Sequence, residues 1–412
     1  MCDSKSANKP AKITPIDRGE STVAMEPMLV RADSPLRVEL SDLAVDLTAK
    51  STGFSRSLPT AIVAALADLV RSMNCYYSNL IEGHDTHPID IERALQEDYS
   101  SDPKKRDLQL EAKAHINVQQ WIDDNGLAGQ ATTTDGVVEV HRRFCEQLPE
   151  DLLWAENPDT GERQKVVPGQ FRETDVIVGR HMPVSPGAVP KFMQRFESAY
   201  CNLGRVDQLI GAASAHHRLL WIHPFADGNG RVARLMSYAM LRNSLQTGGV
   251  WSIARGFARN ENMYKQLLAN CDLPRRNDID GRGNLSEESL VAFTKFFLQT
   301  CIDQVEFMER LAQPDRLRDR IMIWIEEEIR AKTLPSKSDL VMTALLHSGA
   351  LSRAQVPGIL NMSERSASRI SSALLKRGVV ASATTRAPLN LVIPAELAAR
   401  WMPGLFPEQV SA

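Results

Sequence analysis

The 412-residue chain is 43% hydrophobic and carries a formal net charge of −3, the profile of an ordinary water-soluble protein with apolar material for two or three cores. That balance excludes an overall electrostatic pull toward nucleic acid or an anionic membrane, and no apolar run approaches the ~20 residues of a membrane span. Six cysteines (Cys2, Cys75, Cys145, Cys201, Cys271 and Cys301) stand singly with no C-x-x-C pair, which points to reduced thiols in a cytoplasm rather than to a disulfide framework or a zinc site.

Residues 1–35 mix Lys, Pro, Asp and Ser without an apolar h-region, so a disordered tail is expected there rather than a signal peptide. Residues 36–130 read as a helical region. Ile62, Val63, Ala65, Leu66, Leu69 and Val70 recur at three- and four-residue steps from Pro59 onward, and the helical pattern continues through Ser72 to a stop at Gly83. Further helices are expected from Pro88 through Leu95 and from Leu108 to Ile122. Thr132-Thr133-Thr134-Asp135 offers N-caps for another that carries Val137, Val140 and Phe144. Between Val166 and Pro190 the pattern changes to β-formers. Val166-Val167, Phe171 and Val176-Ile177-Val178, separated by Pro168-Gly169 and closed by Gly179, predict a short hairpin. Helices resume from Val189 to Tyr200, Val206 to Ile222, Arg231 to Leu245, Asn260 to Leu268 and Ser286 to Leu311.

The densest chemistry lies at His223-Pro224-Phe225-Ala226-Asp227-Gly228-Asn229-Gly230-Arg231-Val232-Ala233-Arg234. His223 is a titratable base at a helix end. Gly228 and Gly230 let the backbone approach a ligand closely and present successive N–H groups. A helix starting near Gly230 adds its unpaired N–H groups and the positive end of its dipole. Arg231 and Arg234, three apart, share a face of the first turn and can both reach phosphate oxygens. Asp227 is a hard oxygen ligand beside a phosphate loop, the placement Mg²⁺ takes when it bridges protein and polyphosphate. Phe225 reads as an inward-packing ring that fixes the loop, and His216 and His217 as core or supporting residues.

This stretch resembles the signature of the Fic family, H-P-F-x-x-G-N-G-R-x-x-R, with no departure at any specified position. The resemblance implies that the chain binds ATP with its phosphates on Gly228, Asn229 and Gly230, with Arg231 supporting the polyphosphate and Arg234 reaching the γ-phosphate. It implies Mg²⁺ on Asp227, and His223 taking a proton from a Ser, Thr or Tyr hydroxyl that attacks the α-phosphorus, so that AMP passes to a target protein or to the chain itself. It makes Gly169, Phe171, Val176, Ile177 and Val178 a flap that docks the target segment, and places Tyr264 near the nucleotide base. Upstream, Ser78-Asn79-Leu80-Ile81-Glu82-Gly83 is similar to the family's inhibitory motif, [S/T]-x-x-x-E-[G/N]. Ser78, Glu82 and Gly83 are its fixed positions, and its glutamate is expected to compete for Arg234.

Beyond Pro314 the chain reads helix at Leu317 to Ile329, then helix, tight turn and helix (Arg353 to Leu360, Asn361-Met362-Ser363, Glu364 to Arg377). Two short strands follow, at Val379-Val380 and Leu389 to Val392. That is a winged-helix outline. Between Leu351 and Arg386, Arg353, Arg365, Arg369, Lys376, Arg377 and Arg386 face one acid, Glu364, which suits DNA or a protein partner equally well. The expected fold is therefore mainly α: a Fic-type helical core with a small β-hairpin flap, and a C-terminal winged helix-turn-helix. The expected domains are a tail at 1–35, an N-terminal helical region at 36–130, a Fic core at 131–313 and a winged-helix domain at 314–412. A cytoplasmic, homodimeric adenylyltransferase held in check by Glu82 follows from the resemblance. Its rivals are transfer of another nucleotide, removal of AMP by the same site, and a nucleotide-sensing DNA-binding regulator.

Overall fold

The computed structural model describes residues 15–156, 161, 163–245 and 248–407. It is mainly helical, with two small antiparallel sheets. The N-terminal helices are α1 (Arg37–Ser57), α2 (Thr60–Ile81), α3 (Pro88–Leu95), α4 (Pro103–Asp123) and α5 (Thr134–Cys145). A hairpin of β1 (Trp154–Glu156) and β2 (Arg163–Lys165) precedes α6 (Val189–Tyr200), α7 (Arg205–Ile222), α8 (Asn229–Leu245), α9 (Ala254–Arg259), α10 (Glu261–Asn270) and α11 (Glu287–Leu311). The C-terminal part runs α12 (Pro314–Arg330), α13 (Ser338–Ser348), β3 (Ala350–Leu351), α14 (Val356–Leu360), α15 (Glu364–Lys376), β4 (Val380–Ala381), β5 (Leu389–Leu391) and α16 (Ala395–Trp401).

The centre is the pair α7 and α8, whose side chains are buried nearly all round, as befits helices enclosed on every side. Small residues (Gly211, Ala212, Ala213, Ser214, Ala215) let neighbours close in on α7, and α11 packs against both α7 and α1. α1 itself was not legible as a helix. Its buried stripe is Leu40, Ala44, Leu47, Ser51 and Phe54, in which Ala and Ser hold positions that a hydrophobicity pattern does not register. Thr133 is the N-cap chosen among the four candidates before α5, its hydroxyl accepting from the Gly136 N–H at 3.0 Å.

Two expectations are corrected. Residues 15–35 are not a disordered tail. Met25, Met28 and Val30 are buried in the core, the Tyr200 hydroxyl donates to Met28 O at 2.7 Å, and Arg218 donates to Pro27 O at 2.8 Å. Residues 1–14 of the expected tail lie outside the described residues. The antiparallel strand pair forms between residues 154–156 and 163–165, upstream of the predicted strands, with Trp154 opposite Lys165. Residues 166–183 instead run as extended loop with a single bridge, Val178 to His181. The Arg172 side chain meets Thr174 O within that stretch, and Glu20 accepts from Ser185 N just beyond it.

The C-terminal part forms a three-stranded antiparallel sheet of order β3-β5-β4 against α13, α14 and α15, and Pro314 is the first residue of α12. This part leans on α2. The Tyr77 hydroxyl donates to Leu405 O at 2.9 Å, and Tyr76 meets the Phe406 ring edge-on at 5.7 Å. No helix among the described residues is long and apolar enough to cross a membrane.

Candidate active site

The turn between α7 and α8 carries the site. His223 ends α7 in the left-handed conformation (φ 50°), its N–H still bonded to Leu219 O at 3.0 Å. That unusual backbone turns the chain sharply away from the helix axis. Nδ1 lies 3.3 Å from Leu220 O and serves as donor to it, which leaves Nε2 with a free lone pair. Burial lowers the His223 pKa to about 4, so the ring is neutral, with Nε2 unprotonated, at physiological pH. His223 lines a cavity of about 680 Å³ whose other walls are the β1–β2 hairpin (Ala155, Glu156, Arg163, Gln164) and Thr174 to Ile177.

The loop after His223 is braced by side chains rather than by regular structure. Asn229 closes it on itself: Oδ1 accepts from Phe225 N at 3.0 Å and Nδ2 donates to Phe225 O at 2.9 Å. The amide is thus spent on shape, and only the backbone of Asn229 is left for a ligand. Phe225 is fully buried and stacks on His141 at 3.8 Å. His141 Nδ1 accepts from Gly169 N at 3.0 Å, so Nε2 carries the proton and donates to Asp227 O at 3.2 Å. One neutral imidazole therefore ties α5, the Gly169 turn (φ +72°) and the anion loop together. Gly228, at φ +82°, turns the chain into α8.

Arg172 holds the other side. Only 2% exposed, it donates from Nε to His223 O at 2.8 Å and from Nη1 to Thr174 O at 3.0 Å, with Nη2 reaching Val184 O. Its own N–H bonds Pro224 O at 2.9 Å. Burial lowers its pKa to about 10, still charged at neutral pH. Neither His141 nor Arg172 had been singled out from sequence. His141 looked like any histidine on the apolar face of a helix, and Arg172 was visible only as the neighbour of Phe171.

The two motif arginines are both occupied by N-terminal helices. Arg234, 3% exposed, donates from Nε to Ser78 Oγ at 2.8 Å and from Nη2 to Ser78 O at 3.1 Å, and forms an ion pair with Glu82 Oε1. Burial disfavours the charge on both partners, yet their attraction outweighs it: Glu82 lies below its ordinary pKa and Arg234 above. The Glu82 carboxylate fills the space a Cβ on Gly230 would take, at the N-terminal turn of α8. Gly83 follows at φ +83° and ends α2. Arg231 pairs with buried Glu111 of α4 and lies over the Phe144 ring at 5.4 Å. His84 Nδ1 sits 2.8 Å from Glu111 Oε2, a bond that raises the His84 pKa.

Behind this pairing lies a polar seam between α2 and α4. Asn74 donates to Gln119 at 2.6 Å. Asn79 Oδ1, both ring nitrogens of His115 and Gln119 Nε2 are buried with no hydrogen-bond partner among the described residues.

The remaining expected positions divide. Val176 and Ile177 line the His223 cavity, whereas Gly169 and Phe171 lie beneath the loop, the latter 5.9 Å from Phe225, and Val178 pairs with His181. Tyr264 lies in the core beside Arg234. It is 2% exposed, stacked on Phe257 at 4.3 Å, and its hydroxyl bonds His216 Nε2 at 2.8 Å, while His216 Nδ1 meets Ser237 Oγ at 2.8 Å. Asp227 keeps an exposed carboxylate beside Gly228 and Arg231 at a small second cavity. No group of three or more His, Cys, Asp or Glu that could hold a metal ion occurs among the described residues.

Residues 131–241 match the family described as Fic/DOC. The chain is 30% identical over 172 residues to a protein adenylyltransferase Fic of Nematostella vectensis, an overlap of 40% of this chain and 36% of that one. It is 31% identical over 169 residues to the protein of the same description from Drosophila grimshawi, covering 40% and 32%. The chain thus spans about a third of the length of the curated relatives it matches. A Fic family protein from Desulfovibrio desulfuricans G20 superposes over 88% of this chain and 98% of its own with a TM-score of 0.52 at 16% identity, a likeness of fold.

Proposed function

We propose, from the premise that the chain carries a Fic/DOC-family domain at residues 131–241, that it transfers AMP from ATP to a hydroxyl side chain of a protein. The observation that carries the reading is the placement of a neutral His223, with Nε2 unprotonated, in the lining of a cavity, one loop away from a glycine-flanked helix start and two arginines. The β- and γ-phosphates lie on the N–H groups of Gly228 to Gly230, with Arg234 and Arg231 neutralising them. His223 Nε2 takes the proton of the target hydroxyl, the oxygen attacks the α-phosphorus, and pyrophosphate leaves. Positioning and charge neutralisation supply most of the rate.

Asp227 offers one exposed carboxylate, which would hold an Mg²⁺ brought in with the nucleotide. Bound there, Mg²⁺ adds positive charge against the polyphosphate. Val176, Ile177 and the β1–β2 hairpin form the trough into which an extended target segment fits, held beside His223 by main-chain contacts.

The site as it stands is held off. Arg234 cannot give its full fork to a γ-phosphate while Glu82 occupies it, and the Glu82 carboxylate lies where that phosphate needs the α8 terminus. The same carboxylate favours a second reading: facing the site, it can orient a water for removal of AMP. Intact-protein mass spectrometry tests both. Glu82→Gly with Mg²⁺ and ATP, GTP, UTP or CTP should gain one AMP from ATP, on itself or on an added lysate, and Glu82→Gly/His223→Ala should gain nothing while still binding ATP. A different mass increment, or none with every nucleotide, refutes adenylylation. Loss of AMP from a pre-labelled protein only when Glu82 is present would establish the second reading.

A further inference from the structure

The basic residues of the C-terminal part are not equivalent once folded. Arg377 is spent on Glu328 (3.3 Å) and Glu396 (3.2 Å) and lies over Trp324, and Arg353 donates to Ala387 O at 3.2 Å. Arg365, Arg369, Lys376 and Arg386 remain exposed, with no carboxylate partner among the described residues.

Three of those four lie on one line. α15 buries Ala367, Ile370, Ser371 and Leu374 against the rest of the unit. At 100° per residue, Arg365, Ser368, Arg369, Ser372 and Lys376 fall in a single stripe on the opposite side, and all five are exposed. The stripe contains no acid; Glu364 is set to its flank. It is about 16 Å long at the helical rise of 1.5 Å per residue. Arg386 stands in the loop between β4 and β5. Ser363 caps α15, accepting from the Ser366 N–H, so the helix start is fixed by its own side chain.

From this geometry we infer that the C-terminal unit binds duplex DNA, with α15 in the major groove and Arg386 on the adjacent backbone. The stripe alternates long cations with short hydroxyls. That suits phosphate oxygens at the rims and base edges between them. The B-form major groove, about 12 Å wide, admits a helix, while that of A-form RNA is too narrow for its side chains to read. The stripe has no aromatic ring on which an unpaired base could stack. Nor does it hold the apolar or aromatic anchor around which protein interfaces are built. The nearest exposed apolar groups, Ile359 and Met362, lie on α14 and in the turn.

The test uses the full chain and a fluorescently labelled duplex of arbitrary sequence, with binding read by anisotropy. Four phosphate contacts predict that affinity falls about 100-fold between 50 mM and 200 mM salt. Arg365→Gln/Arg369→Gln should weaken binding for every sequence and lower the salt slope by about 2. Arg330→Gln, at an exposed arginine of α12 outside the stripe, should change neither. All these positions are on the surface, so an unchanged melting temperature certifies the fold. Absence of binding at 50 mM salt overturns the inference, as does a slope indifferent to the double substitution. Binding of a polyglutamate peptide in place of the duplex would assign the stripe to an acidic protein instead. None of these readouts depends on nucleotide transfer.

Discussion

Removing the Glu82 carboxylate is the perturbation that bears most directly on the site. Arg234 is almost wholly buried, and Glu82 is about a third exposed. A hydrogen bond to a charged group at such a place contributes about 1.5–3 kcal/mol, and solvent access to Glu82 argues for the lower end. If that contribution must be given up before the γ-phosphate can seat, the competent state is populated about 10–100-fold less than without Glu82. Glu82→Gly is therefore expected to raise initial AMP incorporation by about tenfold or more. The assay is incorporation from labelled ATP at saturating Mg²⁺, with wild type and variant side by side. A second quantity moves the other way. Without Glu82 the Arg234 charge keeps Ser78 Oγ and O but loses its counter-ion, so the melting temperature should fall and Mg²⁺–ATP should restore it. An increase below about twofold, with nucleotide binding unaltered, would refute the competition argument.

Arg172 is expected to act on His223 and not on the nucleotide. Arg172→Lys removes the fork that spans His223 O, Thr174 O and Val184 O, and kcat for transfer should drop about 100-fold with KM for ATP nearly unchanged; a matching rise in KM would instead show that the whole loop has collapsed. The pH dependence of stability has a definite sign. His115 and His216 (pKa lowered to about 3) and His141 and His217 (to about 4) are all buried and all shifted by burial from an ordinary 6.5. Unfolding lets each bind a proton as soon as pH falls below 6.5. Stability is thus fully present above that value and lost as pH falls toward 4, by up to about 1.4 kcal/mol per pH unit for each histidine. Urea titrations from pH 7 to pH 4.5 measure it, and His115→Leu should reduce the slope by one proton; a stability flat across that range would overturn the assignment of neutral buried rings.

The glycine-flanked turn after His223 and the pairing of Glu82 with Arg234 were legible because each needs a particular residue type at a fixed spacing. The hairpin was misplaced for the opposite reason. Val176-Ile177-Val178 has strand-forming side chains, but its backbone pairs only through the Val178–His181 bridge, so propensity there met no ladder to join. Tyr264 followed a positional analogy, and the structure spends its hydroxyl on His216. His141 and Arg172 escaped because bracing a loop through backbone carbonyls requires no pattern along the chain. Glu111 lay in a helix read only for its apolar periodicity, and its partner Arg231 is 120 positions away.

The seam under α2 bears on how firmly the end of that helix is held. Most helices are pinned by apolar contacts, and lifting them exposes surface that water disfavours. Here Asn79 Oδ1, His115 and Gln119 Nε2 are buried without a hydrogen-bond partner among the described residues, and burying such polar groups offsets part of what the apolar contacts contribute. The end of α2, from Ser78 to Gly83, is tied to α8 by the Arg234 bonds, while Tyr77 is bonded to Leu405 O. Amide exchange at residues 79–83 faster than at residues 66–73 is the expected signature of a helix end weakened by unpaired polar groups.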